Sequence, residues 1–460
     1  MKLASIRVIH LYLALLLAGT SKYVAGQPVL PGVHKSTGGA GWAQNSINAV
    51  SFRKNAITSH GPWQFTAYYN AAGQVVLARR RGLRKPWQVV VTSLKGQVAD
   101  AHNNISLAID GAGYLHLAWN HHNTPLQYTR SLQPYGLSLA APSPMTGMLE
   151  NRVTYPQFYR LPNGQLIFMY RHGQSGNGQL VINRYNPATQ HWQQLHQNLL
   201  DGQGQRNAYW QATVDRHGGL HLSWVWRQTG DVATNQDMGY AYSPDGGVSW
   251  QDAAGQSYAL PVTMATTRLA AAIPQGSQLI NQTGMATNSR GQPYIATYWQ
   301  APADSVPQYK VLHYNGSQWQ VYNTGFRTGP FSLSGGGTKS IPIARPQMVV
   351  LNYQRQALPL LIFRDADFSN KAMLAWPGAN PHAPWQVAAL DTINLGQWEP
   401  GIDDDYWLTK KRALLFIQPV QQADAEGLTT APPSPVGIWH FKAGRLFRNF
   451  LKNKPKSIQP

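Results

Sequence analysis

Between Asp100 and Arg171 the sequence gathers side chains that move protons and hold anions. The segment contains Asp100-Ala101-His102-Asn103-Asn104, Asn120-His121-His122-Asn123, Asn151-Arg152-Val153-Thr154-Tyr155-Pro156 and Phe168-Met169-Tyr170-Arg171-His172-Gly173. His, Tyr and Arg recur just before or just after apolar stretches that read as strands. Those are rim positions, where a rigid scaffold presents side chains to a ligand. Only three acidic residues, Asp100, Asp110 and Glu150, lie in the whole stretch. Histidine, tyrosine and arginine with few carboxylates suit an anionic substrate.

Other chemistries fit less well. His116 and His221 sit inside strands, in the matched contexts Leu-His-Leu-Ala-Trp and Leu-His-Leu-Ser-Trp, which favours packing. His102 and His122 lie at strand edges beside asparagines. His121 adjoins His122 and points elsewhere in an extended chain, so His122 is the better candidate. A zinc site needs three or four converging ligands. No HExxH or related spacing occurs, and cysteine-ligated metal is excluded because the chain has no cysteine. No metal and no cofactor are expected. Most glycosidases need two carboxylates, and the only glutamates are Glu150, Glu399 and Glu426. The run Asp403-Asp404-Asp405 reads as a solvated loop.

The elements that must position these residues are short strands. Gly (42), Pro (31), Trp (16) and Tyr (22) are plentiful, and no long amphipathic helical pattern follows the N-terminus, so an all-β chain with many turns is predicted. A turn followed by an apolar strand recurs seven times. The instances are Gly73-Gln74-Val75-Val76-Leu77, Gly113-Tyr114-Leu115-His116-Leu117, Gly164-Gln165-Leu166-Ile167-Phe168, Gly219-Leu220-His221-Leu222-Ser223, Gly291-Gln292-Pro293-Tyr294-Ile295, Gln356-Ala357-Leu358-Pro359-Leu360-Leu361 and Arg412-Ala413-Leu414-Leu415-Phe416. A second element, a turn followed by Trp87, Trp192, Trp250, Trp319 or Trp385, alternates with the first. Ser243-Pro244-Asp245-Gly246-Gly247-Val248-Ser249-Trp250 fits the Asp-box pattern S-x-D-x-G-x-x-W. Repeats of roughly 40–70 residues with several short strands each predict a seven-bladed β-propeller; a β-helix is the runner-up, with spacings that fit it poorly.

Residues 1–26 read as a signal peptide: Lys2 and Arg7 open it, residues 11–18 form a short apolar core, and Val24-Ala25-Gly26 offers a cleavage site. The apolar run is short for a membrane span, and no other segment reads as one. The propeller is expected over 27–441 and a basic tail over 442–460. The formal charge is +19, and removing Lys2, Arg7 and Lys22 with the signal peptide leaves +16. An exported protein this basic meets nucleic acid, an anionic membrane surface or an acidic polysaccharide. Part of the charge is local, in Arg79-Arg80-Arg81 with Arg84 and Lys85, and in the tail.

The chain resembles the BNR-repeat, seven-bladed propeller proteins that include the ulvan lyases of two polysaccharide lyase families. The stretches that carry the resemblance are residues 100–104 with 113–116, 121–128, 153–158 and 171–178, then Asn207-Ala208-Tyr209-Trp210, the Trp226-Arg227 pair and the Asp-box match. Together they cover roughly 95–420. The resemblance implies His102 and Tyr155 as proton-transfer residues, and Arg171, His122 and Tyr209 as contacts to the uronate carboxylate and sugar. It implies β-elimination at a 4-O-linked uronate of a sulfated, ulvan-like polysaccharide. It also implies a secreted or periplasmic monomer with an acidic polysaccharide as partner and no nucleic acid. Some of those relatives carry a structural zinc with cysteine among its ligands, which this chain cannot reproduce. The basic tail has no counterpart in the pattern.

The residues agree with that chemistry. Elimination removes the C5 proton and expels the 4-O-linked sugar; it needs a base, an acid and positive charge at the carboxylate, and no paired carboxylates. Two other classes remain open at this point: a sialidase-like glycoside hydrolase, and a non-catalytic carbohydrate-binding propeller in which His102 is only a polar contact.

Overall fold

The seven recurring strands fall in seven separate antiparallel sheets, six as the second strand and Gln74–Arg81 as the third of its sheet, and the seven sheets stand as the blades of a β-propeller. The structure, a computed structural model, describes residues 27–353, 356–378 and 383–445. The expected signal peptide, residues 1–26, and the basic tail beyond 445 lie outside the described residues. The first strands of the blades are Ile57–His60, Ile105–Ile109, Val153–Arg160, Asn207–Val214, Gly284–Thr287, Gln347–Tyr353 and Gly401–Ile402. Successive first strands of blades one to six contact one another and line the centre of the ring. The second strands supply the buried apolar faces. Leu166–Gln174 and Leu220–Arg227 are almost wholly buried, because each packs against both neighbouring blades.

Blade seven closes the ring. Its strands Gly401–Ile402, Arg412–Ile417 and Ser434–Lys442 take His34–Gly41 as the fourth strand. The register pairs His34 with His440, Lys35 with Trp439 and Ser36 with Ile438. The two ends of the described chain are thus joined in one sheet, which removes the open edges that a linear stack of blades would leave.

One departure from a simple ring matters for the site. His122–Thr124, a short strand between the second and third strands of blade two, pairs with the first strand of blade three, His122 opposite Thr154 and Thr124 opposite Val153. This stitch carries His122 across the gap between the blades.

The glycine turns have a partner that the sequence reading passed over. Three residues before each of Gly73, Gly113, Gly218 and Gly291 stands Asn70, Asp110, Asp215 or Asn288, and its side-chain oxygen accepts two backbone amides of the turn. In blades two and four the carboxylate does more. Asp110 Oδ2 lies 3.2 Å from His116 Nε2, whose Nδ1 meets the Tyr128 hydroxyl at 2.7 Å. Asp215, His221 and Tyr240 repeat the arrangement at the same distances. His116 and His221 are therefore interior struts.

The Asp403-Asp404-Asp405 run corrects an expectation. It is no solvated loop but the start of the single α-helix among the described residues, Asp404–Lys410. Asp403 is the buried N-cap, accepting from Tyr406 N and from Ser59 Oγ. Asp404 pairs with Lys54, and Asp405 with Arg160. Carboxylates at a helix start satisfy free amides and complement the helix dipole, a use that sequence alone does not separate from a loop. No helix among the described residues is long and apolar enough to cross a membrane.

Removing the Asp110 carboxylate would leave two turn amides and a buried imidazole without an acceptor. Asp110→Ala is expected to lower stability by about 2–4 kcal/mol, read as an earlier urea midpoint. A midpoint equal to wild type would show that the strut contributes nothing.

Candidate active site

A cavity of about 280 Å³ opens at one mouth of the ring, and the five residues predicted from sequence, His102, His122, Tyr155, Arg171 and Tyr209, all line it. Phe52, Arg227, Arg345, Glu399 and the 336–339 loop complete the wall. Blades two, three and four supply the predicted residues because this mouth is where their first strands begin and their second strands end.

His102 is set by a capped turn. Asp100 caps the 3₁₀ turn Ala101–Asn103, and its Oδ1 accepts His102 N at 2.8 Å. The same oxygen lies 2.9 Å from His102 Nδ1, and Oδ2 lies 2.5 Å from His122 Nδ1. The two imidazoles stack at 4.1 Å. One aspartate thus holds both rings by the same nitrogen, leaving each Nε2 for a ligand. Glu426 Oε1, from blade seven, adds a second carboxylate 3.2 Å from His102 Nδ1. Burial opposes charge on His102, but Asp100 and Glu426 outweigh it and push its pKa up to about 9. Asp100 is held well below the usual carboxylate range: burial works against that, and the hydrogen bonds and charges of the two histidines prevail. His121, by contrast, is turned inward. Its Nε2 accepts Gln127 N at 2.7 Å, and burial lowers its pKa to about 3.

Tyr155 occupies a strained position. Its φ is +58°, in the left-handed region that non-glycine residues seldom use. The cause is a bulge in the first strand of blade three between Thr154 and Gln157, with Pro156 immediately following. Strain of this kind, of order 1–3 kcal/mol, gathers at functional sites. The conformation turns the phenol among Phe52, His102, Tyr209 and Trp210, with ring centroids 5.2–6.3 Å away.

Arg171 lies across that ring, its guanidinium carbon 5.0 Å from the Tyr155 centroid. Its stem needs the space left by Gly178, where an added Cβ would meet Arg171 Cγ and Cδ at 2.8 Å. Arg171 Nη2 donates to Thr154 Oγ1 at 3.3 Å, and its buried Nε has no partner. Blade four repeats the device: Arg227 lies 5.3 Å from the Tyr209 centroid, again with Nε unpartnered. Among the described residues the arginines that pair with carboxylates are Arg160, Arg268, Arg327 and Arg345. Arg171 and Arg227 are therefore two buried cations in the cavity without an anion. Arg345 is matched by Glu399 through three side-chain contacts of 2.5–3.1 Å.

The phenols feel these charges. Burial pushes Tyr155 far up, and Tyr209 beside it adds to the shift, against the pull of Arg171, Arg227 and Arg345. Tyr209 moves the other way: burial is overcome by Arg227, Arg171 and a hydrogen bond with Ser175 Oγ at 3.2 Å. The pair thus shares a field that favours one phenolate. A divalent cation has one candidate place among the described residues, Asp100 with His102 and His122, whose ligand atoms lie within 4.8 Å of one another.

Four contributors were missed from sequence: Asp100, Arg227, Arg345 and Glu426. Asp100 was legible as the cap of its own turn. Arg227 had a signal, since Tyr209 and Arg227 repeat the Tyr155 and Arg171 arrangement one blade later. Arg345 and Glu426 come from distant blades with no local mark.

A family model described as BNR repeat-containing family member matches residues 63–326, more than half of the chain. No curated protein matches the sequence. Among solved structures, the polysaccharide lyase Uly1 is similar with a TM-score of 0.65 and 14% identity, over 90% of this chain and 99% of that one. An ulvan lyase of a new polysaccharide lyase family, PL25, is similar with a TM-score of 0.58 and 15% identity, over 88% and 96%. The same enzyme bound to -[GlcA(1-4)Rha3S]- gives 0.59 and 14%. At such identities the likeness is one of fold.

The charge on His102 predicts a pH effect. Its folded-state pKa of about 9 lies above that of an unfolded histidine, near 6.5. The carboxylate contacts therefore stabilise the fold fully below about pH 6.5, and that stability is lost as pH rises toward 9. Urea midpoints of wild type and His102→Gln should converge over that window; a constant gap would refute the charge assignment.

Proposed function

The chain belongs to the BNR repeat-containing family, and we propose that it is a secreted or periplasmic polysaccharide lyase acting on a uronate-containing, sulfated, ulvan-like polysaccharide by β-elimination. The observation that carries this reading is the pair of buried guanidinium groups, Arg171 and Arg227, that no carboxylate neutralises. An uncompensated buried charge costs several kcal/mol, so a site that keeps two of them is built to receive anions. The solved relatives named above include an ulvan lyase bound to a glucuronate–sulfated rhamnose unit, which supports the choice of polymer.

In the proposed reaction Arg171, with His122 and Tyr209, holds the uronate carboxylate. Tyr155 is the base: burial keeps its phenol neutral at rest, and it reacts in the minor form in which the phenolate charge of the Tyr155–Tyr209 pair lies on Tyr155, near Arg171, Arg227 and Arg345, and takes the proton from C5. The C5–H electron pair forms the C4=C5 double bond, and the C4–O4 bond breaks. The departing O4 receives the Nε2 proton of His102. Tyr155 ends neutral, as does His102, and proton exchange with solvent restores both. His102 suits the acid role because its two carboxylate partners keep it charged at neutral pH. No water nucleophile is consumed. A hydrolase would need a carboxylate free to act, and Glu399 is bound up with Arg345.

Two measurements test this. Incubation with a panel of uronate polysaccharides should raise the ultraviolet absorbance of an unsaturated uronate. New reducing ends without that chromophore would mean hydrolysis, and binding without products a lectin; either ends the lyase reading. Within that assay, Arg171→Lys should lower kcat about a hundredfold to a thousandfold with a smaller change in KM. The planar fork binds a carboxylate through two parallel bonds that strengthen as charge develops, and an ammonium does not. A folded Arg171→Lys enzyme with wild-type kcat would remove Arg171 from the mechanism.

A further inference from the structure

We propose that Glu426 is a positioning residue for His102: with Asp100 it forms a two-carboxylate clamp on Nδ1 that fixes the ring and leaves its Nε2 to the cavity. The kinetic consequence rests on the lyase reading above, whereas the clamp itself does not.

Glu426 reaches His102 from the far side of the sequence. It sits in the loop between Arg412–Ile417 and Ser434–Lys442 of blade seven, and its Oε1 lies 3.2 Å from His102 Nδ1. Several features fix it there. The preceding residue, Ala425, has φ +59°, a conformation that alanine adopts only under constraint. Thr338 N donates to Glu426 Oε1 at 3.0 Å. Asp424, two residues earlier, pairs with Lys339 at 2.8 Å and accepts Ser340 N at 3.2 Å. The opposing loop allows the approach only because residue 337 is glycine. A Cβ there would meet Ala425 Cα at 2.9 Å and Glu426 Oε1 at 3.2 Å. Glu426 Oε2 is buried with no partner, so this carboxylate has not been placed to satisfy itself.

The groups facing His102 are Asp100, Glu426, His122, Tyr155 and the apolar ring of Phe52. Asp100 alone must serve two imidazoles, His102 and His122. Glu426 gives His102 a second carboxylate on the same nitrogen. A ring held at Nδ1 from two sides keeps its Nε2 in one direction, as a general acid requires.

Glu426→Gln separates this role from a merely structural one, because the amide keeps an oxygen to accept Thr338 N and loses only the charge. The direct readout is the His102 ring titration, followed by NMR and identified by its loss in His102→Gln. In Glu426→Gln the midpoint should fall toward the ordinary imidazole value near 6.5. The rate readout is kcat, which should drop about tenfold or more with KM within about threefold. Its alkaline limb should move to lower pH. Glu426→Asp, which keeps the charge on a shorter arm, should lie between. If Glu426→Gln does not fold, Gly337→Ala displaces the same carboxylate and should give the same shifts. A folded variant with wild-type His102 titration and wild-type kcat overturns the proposal. A fallen midpoint in a protein that forms no unsaturated product from any uronate polymer upholds the clamp and rejects the lyase reading.

Discussion

Unbalanced positive charge in a dry cavity is the constraint around which this mouth of the propeller is arranged. Arg171 and Arg227 are 3% and 8% exposed, and neither meets a carboxylate. Such groups persist only if the surroundings hold them open and lower their cost. Each guanidinium lies over a tyrosine ring, at 5.0 and 5.3 Å, where the face of the ring carries partial negative charge. The same field draws one proton of the Tyr155–Tyr209 pair toward release. A third arginine, Arg345, would have added to the imbalance, and Glu399 cancels it. Without that pairing the cavity would hold three buried cations over one small volume. Glu399 is thus read as a balancing charge, and its presence in the wall does not make it a catalytic acid.

The ring is what makes such an arrangement affordable. The contributors lie at strand ends or in the turns and loops beside them, on strands already fixed by their own sheets and by their neighbours. The blades hold their shape through interior polar struts, Asp110–His116–Tyr128 and Asp215–His221–Tyr240, and through the pairing of His34–Gly41 with Ser434–Lys442. At the site, strain falls at the tips, at Tyr155 and Ala425, where the rigid frame can oppose it. The stitch of His122–Thr124 onto blade three is a further tip-level change. It adds a fifth strand to blade three and moves one histidine into stacking distance of another.

Much of this was legible in the sequence because it is local. A recurrent turn followed by an apolar strand identified one strand in each of the seven sheets. The cluster His102, His122, Tyr155, Arg171 and Tyr209 comes from three consecutive blades, and one stretch of chain held most of it. What was not legible depends on closure of the ring. Arg345, Glu399 and Glu426 reach the cavity from blades six and seven, and their spacing from the first cluster is set by geometry alone. The aspartate run at 403–405 was misread because a helix of seven residues has too little periodicity to declare itself, and its anchors, Ser59, Lys54 and Arg160, lie in blades one and three.

The electrostatic contrast within the cavity bears on which bond-breaking chemistry it can support. Hydrolysis of a glycoside by paired carboxylates passes through a cation-like sugar, and nearby negative charge stabilises it. Here the balance is reversed. The carboxylates that reach the wall are already engaged: Asp100 by two imidazoles, Glu399 by Arg345, Glu426 by His102 and Thr338. The cavity is lined by Arg171, Arg227, His102, His122, Tyr155 and Tyr209, with neither Arg171 nor Arg227 paired to a carboxylate. A sugar ring acquiring positive charge would be destabilised among them. A uronate losing its C5 proton spreads negative charge onto its carboxylate, the direction that this field favours. The sign of the charge left over in the cavity is therefore the one the proposed elimination needs, an argument from charge alone and separate from any likeness of fold.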